Sequence, residues 1–304
     1  MGLASSKQNS VLSPGQGAVT RSQDYALVTG ATSGIGRDLA HQICRRGLSI
    51  IVHGRDAARL EALAQELRKE YPASDVKTLL LDAATAFSAT TGEMTDAARS
   101  SVSSVTTDLK LKVLVNNVGI GHDPTKDFTG LAAQTPAQIA RLIQVNISFM
   151  TFLTHLLLPS LQANATKDGP GFIVNSGSLA ELGLPWISVY SGAKAYVTGF
   201  SKALDSEMRG EGQHVHVVAA LIGDTDSDGH RVGESLFTPS SGNMAKMILD
   251  SAAGGGAVVR VPYWGHWIQL WLCRIQPYRL LQMGMIMNVA GLREKNGLAS
   301  KKQA

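Results

Sequence analysis

Cysteine is nearly absent from this sequence of 304 residues, which holds only Cys44 and Cys273. Their wide separation excludes a disulfide framework and a cysteine-based zinc site, and it suits a reducing compartment. The first residues lack the apolar core of about 7–15 residues that a secretory signal requires. Cations exceed anions by only four and are scattered, without a basic stripe interleaved with aromatic residues, so nucleic-acid binding is not expected. We therefore expect a cytoplasmic protein.

Short apolar runs alternate with helical segments from Tyr25 onward. This alternation predicts βαβ units and a parallel sheet. We place strands at 25–29, 48–53, 77–81, 112–116, 171–175, 215–221 and 256–261, and helices near 34–46, 57–70, 93–109, 135–163, 189–210 and 241–251. The predicted fold class is α/β, with a single doubly wound parallel sheet of about seven strands.

A glycine-rich loop, TGATSGIG at 29–36, follows the first predicted strand. Glycines in such a turn let the backbone approach a pyrophosphate, and the next helix presents free N–H groups and the positive end of its dipole. The loop therefore predicts a dinucleotide site. Its predicted contacts are Gly30, Thr32, Ser33, Gly34, Ile35 and Gly36.

Tyr190 and Lys194 lie four residues apart at the start of a long amphipathic segment. On a helix this spacing places the two side chains one above the other. A neighbouring ammonium favours the phenolate and lowers the pKa of a phenol from its usual value of about 10. The pair is therefore a candidate general acid or base.

Three motifs together resemble the short-chain dehydrogenase/reductase family: the Gly-x-x-x-Gly-x-Gly loop, Asn-Asn-Val-Gly at 116–119, and Tyr190-x-x-x-Lys194. The resemblance spans about residues 24–262 and is nearest to the branch of 3-ketoacyl-CoA reductases and 17β-hydroxysteroid dehydrogenases. It implies a Rossmann-like sheet. Residues 1–22 are polar, which predicts a disordered leader. The chain then divides into this leader (1–22), a dinucleotide-binding and catalytic domain (23–262), and a C-terminal apolar and aromatic extension with a polar tail (263–304).

The resemblance implies a catalytic set of Asn146, Ser178, Tyr190 and Lys194. Tyr190 would protonate the carbonyl oxygen as hydride arrives, and Lys194 would lower the pKa of Tyr190 and hold the nicotinamide ribose. Ser178 would donate a hydrogen bond to the substrate oxygen, and Asn146 would hold a water that relays protons. Ser176 is an alternative to Ser178, but the register of the preceding strand favours Ser178.

The end of the second predicted strand favours NADP(H) as the cofactor. Gly54 stands where NAD-dependent members of the family carry an acid, and Arg55 follows it as a candidate partner for a 2′-phosphate. By resemblance, Asp82 would hold the adenine amino group and Asn117 would line the adenosine ribose. Thr225 would reach the nicotinamide carboxamide, although the proline usual before it is missing.

No metal ion is expected in this protein. The run 224–229 imitates a calcium loop, but Ser235 stands at the twelfth position, where the loop requires an acid. Segment 224–242 is rich in Gly, Ser and Asp, and we expect it to form a mobile lid over the substrate.

An aromatic segment follows residue 262 and contains three of the four tryptophans. Arginines and a proline interrupt it before it reaches the length of about 20 apolar residues that spans a bilayer. Three alternatives remain open: a wall of the substrate pocket, a helix in a membrane interface, or a dimer contact. Gly2 fits the pattern for N-myristoylation, so Gly2 and residues 263–287 together would give two membrane signals, while a flexible leader is the simpler interpretation.

The sequence thus predicts an NADPH-dependent oxidoreductase that interconverts a ketone and a secondary alcohol. The apolar extension favours a sizeable apolar substrate of polyketide, terpenoid, steroid or 3-oxoacyl type. The alternative is a non-redox protein that keeps the fold and binds NADP, such as a redox sensor or an isomerase. The resemblance further implies a homodimer or tetramer.

Overall fold

The fold is given by a computed structural model that describes residues 10–13, 23–88, 91–121, 128–228 and 231–295. These residues contain seven strands: β1 (Asp24–Val28), β2 (Ser49–Gly54), β3 (Val76–Leu80), β4 (Lys110–Asn116), β5 (Gly171–Ser178), β6 (Val215–Ile222) and β7 (Val259–Arg260). They form one parallel sheet in the order β3-β2-β1-β4-β5-β6-β7. The predicted α/β class with a single Rossmann-like sheet is therefore confirmed.

Helices cover both faces of the sheet. The described residues contain α1 (Gly34–Arg45), α2 (Ala57–Glu70), α3 (Asp96–Thr106), α4 (Pro136–Ile143), α5 (Phe149–Asn164), α6 (Ser188–Gly210), α7 (Ser241–Ala253), α8 (Trp264–Ile275) and α9 (Tyr278–Lys295). One core cluster packs α1, α2 and α7 on the sheet, and a second packs α3, α5 and α6 on the opposite face. Strands buried on both faces explain the near-continuous apolar runs in the sequence.

Polar caps fix where several helices begin. The side chains of Asp56 and Thr95 each accept a backbone N–H in the first turn of α2 and α3. Thr135 and Gln138 form a reciprocal capping box at the start of α4. Each cap satisfies N–H groups that have no partner within the helix, so the preceding loops enter their helices at defined residues.

The structure differs from the expected elements at two places. The last strand is predicted at 256–261, but only Val259 and Arg260 pair with β6, because Gly255 and Gly256 turn the chain with positive φ just before them. The single helix predicted at 135–163 is divided by a π-helical segment, Gln144–Ser148, between α4 and α5. This α4–α5 run is long and apolar enough to cross a membrane by length and composition, but 44% of its apolar window is buried, as in a core helix.

The folded body also reaches further toward the N-terminus than expected. Val11 and Leu12 are buried in the core cluster of α1 and α7, and Arg46 donates from Nε to the carbonyl of Leu12 at 2.9 Å. Residues 10–13 therefore correct the prediction of a disordered leader over 1–22. The rest of that leader, including Gly2, lies outside the described residues.

The strand order reverses between β1 and β4. In sheets of this kind, ligands bind outside the carboxyl ends of the strands at such a switch point. The glycine loop follows β1 and the Asn-Asn-Val-Gly motif follows β4, so the topology brings both motifs to this point.

Candidate active site

The glycine loop makes a tight turn between β1 and α1. Gly30 and Gly34 have φ of 63° and 52°, a region that favours glycine. A Cβ added to Gly36 would lie 2.0 Å from the carbonyl oxygen of Gly30, so only glycine fits there. The loop thus presents bare backbone at the N-terminus of α1, which fits a dinucleotide pyrophosphate.

Hydrogen bonds of the Thr29 and Asn117 side chains hold this turn against the end of β4. The Thr29 hydroxyl donates to the carbonyl of Val115 at 3.2 Å and accepts from the backbone N–H of Asn117 at 2.9 Å. Nδ2 of Asn117 donates to the carbonyl of Thr29 at 3.1 Å. Asn117 is predicted to line the adenosine ribose, and the structure places its amide beneath the glycine turn as a brace between β1 and β4.

His53, in β2, is a second support that the sequence analysis missed. Its Nδ1 accepts a hydrogen bond from the backbone N–H of Gly30 at 3.2 Å, and its ring stacks on Phe149 with centroids 5.1 Å apart. Burial lowers the pKa of His53 to about 4. The imidazole is therefore neutral near pH 7, as an acceptor at Nδ1 must be.

Ser178 and Tyr190 come together at the carboxyl end of β5. Their side chains are hydrogen-bonded, and Oγ of Ser178 also accepts from the backbone N–H of Ala180 at 3.1 Å. Ser176 is buried, and its hydroxyl lies 3.4 Å from Oδ1 of Asn117. The structure thus places Ser178, as expected, and not Ser176 beside Tyr190.

Lys194 is buried one turn beyond Tyr190 in α6. Its Nζ donates to the carbonyl of Ser176 at 2.8 Å and lies 5.5 Å from the centroid of the Tyr190 ring. Burial lowers the pKa of Lys194 to about 8. The ammonium therefore contacts the face of the ring and a carbonyl.

The electrostatics of Tyr190 differ from the expectation. Burial raises the pKa of Tyr190 above its ordinary value, the hydrogen bond from Ser178 lowers it, and the Asp224 carboxylate raises it further. The expected lowering of the Tyr190 pKa is therefore wrong, because burial disfavours the charged phenolate and the net shift is upward. Tyr190 is consequently a protonated phenol near pH 7.

Asn146 lies in the π-helical segment between α4 and α5. Its Nδ2 donates to the carbonyls of Ile120 and Leu142 at 2.9 and 3.0 Å, and its Oδ1 accepts from the backbone N–H of Ile120 at 3.2 Å. A Cβ added to Gly119 would lie 3.0 Å from this Oδ1 and 3.6 Å from Nζ of Lys194. Asn146 and Lys194 thus flank the same glycine, and π-bulges are frequent at functional sites.

The position that decides cofactor preference has little room for a side chain. A Cβ added to Gly54 would lie 2.6 Å from Cγ2 of Thr32 in the glycine loop. Arg55 follows it and is exposed. Asp82 is half-buried at the end of the neighbouring β3, where its Oδ1 accepts from the backbone N–H of Ala84 at 2.9 Å. All three predicted residues lie at the same edge of the sheet.

A cavity of about 400 Å³ opens beside the glycine loop. Its lining includes Thr32, Ser33, Arg37, Arg59, Glu66 and Asp228. Arg37 is paired with both carboxylate oxygens of Glu66 at 2.6 Å, whereas Arg59 is largely exposed and lies 3.9 Å from Asp56. Arg59 is therefore a second cation at this end of the site, which the analysis of the glycine loop alone did not reveal.

The turn after β6 is held by His266 from α8. Nδ1 of His266 accepts from the backbone N–H of Gly223 at 3.0 Å, which leaves Nε2–H to donate to the carbonyls of Asp224 and Phe237 at 3.0 and 3.2 Å. The hydroxyl of Thr225 is buried and donates to the carbonyl of Gly223 at 3.3 Å. A histidine from the C-terminal extension thus holds the turn in which the proline is missing.

The segment predicted as a lid folds over the glycine loop. Cβ of Ser227 lies 3.3 Å from where a Cβ on Gly34 would be. Asp226 accepts the N–H groups of Val232 and Gly233, each at 3.0 Å, and pairs with Arg231. Ser227 and Asp228 therefore lie beside the glycine loop, whereas Asp224 lies near Tyr190. Residues 229–230 lie outside the described residues.

Helix α9 packs against the segment that joins Ser178 to Tyr190. The guanidinium of Arg293 lies 4.7 Å from the ring centroid of Trp186, which has a φ of 61°. A second cavity, of about 140 Å³, lies between this segment and α9, lined by Leu182, Gly183, Pro185, Tyr278, Leu281, Gln282, Met285 and Ile286. The inward side of α9 therefore lies next to the site, which is consistent with a wall of the substrate pocket on that side of the extension.

The chain is similar in sequence to known proteins. The family model described as short chain dehydrogenase matches residues 24–233. A very-long-chain 3-oxoacyl-CoA reductase of Emericella nidulans is 31% identical over 261 residues, which cover 83% of this chain and 71% of that protein.

Two solved structures show the same fold with different cofactors. A short-chain dehydrogenase from Sphingobium yanoikuyae in complex with NADPH is similar with a TM-score of 0.64 and 26% identity, covering 92% of this chain and 98% of that one. A 3-ketoacyl-(acyl-carrier-protein) reductase from Brucella melitensis, complexed with NADH, has a TM-score of 0.63 and 22% identity, covering 81% and 97%.

Proposed function

This chain belongs to the short-chain dehydrogenase family and is an oxidoreductase, and we propose that it uses NADPH to reduce a ketone on a sizeable apolar substrate to a secondary alcohol. The observation that carries the proposal is the protonated hydroxyl of Tyr190, hydrogen-bonded to Ser178, with the buried Lys194 one turn away. A phenol that holds its proton near pH 7 is suited to give it up to a developing alkoxide.

The residues of the site define the proton path. The carbonyl oxygen would lie between the hydroxyls of Ser178 and Tyr190, where Ser178 donates a hydrogen bond as negative charge develops. NADPH would supply the hydride to the carbonyl carbon. The electron pair of the C=O bond then moves to the oxygen, which takes the proton of Tyr190. Lys194, with its lowered pKa, is suited to pass a proton back to the phenolate.

A preference for NADPH over NADH rests on charge at the end of β2. Arg55 and Arg59 are exposed cations near the glycine loop, and Gly54 packs closely on Thr32, so an acid at position 54 would require the Thr32 side chain to move. Guanidinium groups bind phosphate through charge-assisted hydrogen bonds. The NADPH complex of the Sphingobium relative supports the same choice.

The apolar character of the substrate is supported by the wall next to the site. Leu281, Met285 and Ile286 of α9 face the segment before Tyr190 across the second cavity. The relative from Emericella nidulans is named for a very-long-chain 3-oxoacyl-CoA substrate. A long-chain 3-oxoacyl thioester is therefore the first ketone to test, followed by steroid and polyketide ketones.

The direct test is Tyr190→Phe, assayed by NADPH oxidation with a panel of ketones. We expect the variant to lose at least about a hundredfold in kcat, because the proton donor is gone, and to bind NADPH nearly as the wild type does. Tyr196→Phe, on the same helix, is the matched control and keeps its activity. Full activity of Tyr190→Phe would refute the mechanism. A folded wild type that binds NADPH but oxidises it with no ketone would favour the non-redox alternative.

Cofactor preference is tested by Arg55→Ser, measured as the dissociation constants of NADPH and NADH by fluorescence titration. Loss of a phosphate contact should weaken NADPH binding by roughly tenfold and leave NADH unchanged. Lys69→Ser removes an exposed cation from the far end of α2 and should change neither constant. Equal losses for both cofactors would show that Arg55 does not read the 2′-phosphate.

A further inference from the structure

Helix α8 turns a stripe of tryptophans away from the protein. Trp264, Trp267 and Trp271 are spaced i, i+3, i+7 and remain 48%, 56% and 49% exposed, and Ile275 continues the stripe at 57%. The opposite side of the helix holds the buried residues Gly265, His266 and Leu270. A surface helix normally places polar residues on its outward face, so this face is unusual.

Helix α9 repeats the pattern with aliphatic residues. Leu280, Met283 and Met287, again spaced i, i+3, i+7, are 54%, 56% and 70% exposed. Val289, about half a turn away around the helix, is buried. Two consecutive helices therefore expose apolar stripes, a combination that marks an interaction site on a soluble protein.

Charge at this surface has one dominant sign. Between residues 264 and 294 the sequence contains three arginines and a single acid, Glu294. Arg274 and Arg279 are exposed at the end of α8 and the start of α9, whereas Arg293 is engaged with Trp186. Exposed tryptophans bordered by arginines are complemented by a partner that has a negatively charged surface and an apolar layer beneath it.

We propose that the outward sides of α8 and α9 bind the surface of a bilayer that contains anionic phospholipid. Tryptophan favours the membrane interface, and basic residues beside it attract anionic head groups. The two helices have 12 and 18 residues and are separated at Gln276, so they lie on a bilayer and do not cross it.

A second copy of the chain fits this surface less well. A two-fold interface uses the same patch from both copies, so it would bring two sets of Arg274 and Arg279 into one interface. Glu294 is the single acid on the two helices that could oppose them. An anionic lipid surface meets the same charges without repulsion.

The experiment is flotation of the full chain with two kinds of vesicle: phosphatidylcholine alone, and phosphatidylcholine mixed with phosphatidylserine. A Gly2→Ala background removes any acyl chain from the measurement. We expect binding to the mixed vesicles, weaker binding in high salt, and a blue shift of the tryptophan fluorescence. The double variant Trp267→Gln/Trp271→Gln should lose at least about tenfold in vesicle affinity.

Two further variants keep the result interpretable. Met283→Gln/Met287→Gln tests the stripe on α9 independently, in case the tryptophan variant folds poorly. Leu80→Gln changes a residue of similar exposure, 53%, on β3 at the other edge of the sheet, and should leave binding intact. Circular dichroism and NADPH binding verify folding in each case.

Three results would overturn the proposal. The first is a wild type that does not float, and the second is stripe variants that float like the wild type. The third is a stable dimer, seen by light scattering, that is disrupted by the stripe variants. None of these measurements depends on turnover, so the lipid surface can fail while the proposed reductase activity stands.

Discussion

The buried ammonium of Lys194 should cost the protein stability. Lowering the pKa of Lys194 from 10.5 to about 8 by burial corresponds to about 3 kcal/mol against the charged form at neutral pH. The hydrogen bond from Nζ to the carbonyl of Ser176 returns about 1.5 kcal/mol when a charged donor is involved. Lys194→Met, of similar length, removes both contributions and keeps the packing.

We therefore expect Lys194→Met to raise the free energy of unfolding by about 1–2 kcal/mol at neutral pH, or the melting temperature by roughly 2–5 °C. The same variant should lose most of its turnover. Urea unfolding followed by circular dichroism measures the first effect, and the reductase assay measures the second. Lys202→Met, an exposed lysine on the same helix, is the control and should change neither.

The sign of the pH dependence makes the test sharper. The unfolded chain keeps the Lys194 proton up to a pKa of about 10.5, whereas the folded protein releases it near pH 8. The destabilisation by the buried ammonium is complete below pH 8 and decreases as the pH rises toward 10.5. The stability advantage of the variant should therefore shrink by about 2 kcal/mol between neutral pH and pH 9.5. A variant that is less stable than the wild type at neutral pH, or a stability difference that does not change between about pH 7 and 9.5, would refute this reasoning.

Two further predictions concern histidines that accept a glycine N–H. Burial lowers the pKa of His53 to about 4, so the unfolded state binds more protons than the folded state below pH 6.5, and the free energy of unfolding should fall by about 3 kcal/mol between pH 6.5 and 4. In urea unfolding, His53→Asn should reduce this dependence on pH. An unchanged pH dependence would contradict the assignment. His266→Phe leaves the Gly223 N–H without its acceptor, so it should lower the free energy of unfolding by about 2 kcal/mol and weaken NADPH binding. Thermal melting and fluorescence titration measure the two effects. His155→Phe, at an exposed position, is the control and should change neither.

The sequence predicts most of the sheet because a strand buried on both faces carries its own signal. β2 is buried at all six positions, and its apolar run was sufficient to place it within one residue. Three short motifs also predict membership in the short-chain dehydrogenase family and similarity to 3-ketoacyl-CoA reductases. The comparisons confirm both predictions. Where the apolar run is short, as in β7, the length of the strand depends on its pairing with β6 and on the glycines before it, which the sequence pattern does not show.

What the sequence could not supply is burial and long-range contact. The spacing of Tyr190 and Lys194 indicates that the side chains meet, but not that both are desolvated, which reverses the expected shift in the pKa of Tyr190. His53 accepts from Gly30, 23 residues away, and His266 accepts from Gly223, 43 residues away. No local sequence pattern predicts hydrogen bonds between residues so far apart in the chain. The membrane role of Gly2, cellular location and oligomeric state stay predictions.

The hydrogen bond from Gly223 to His266 has a consequence for protein engineering. The family model matches residues 24–233, and the resemblance extends to about residue 262, so a shorter catalytic fragment or a graft of another tail to change specificity is an obvious design. A chain cut there would lose the imidazole that accepts from Gly223, and with it a support of the turn that carries Thr225. The smallest transferable unit therefore ends beyond His266, and tail exchanges that preserve α8 should keep a working cofactor pocket.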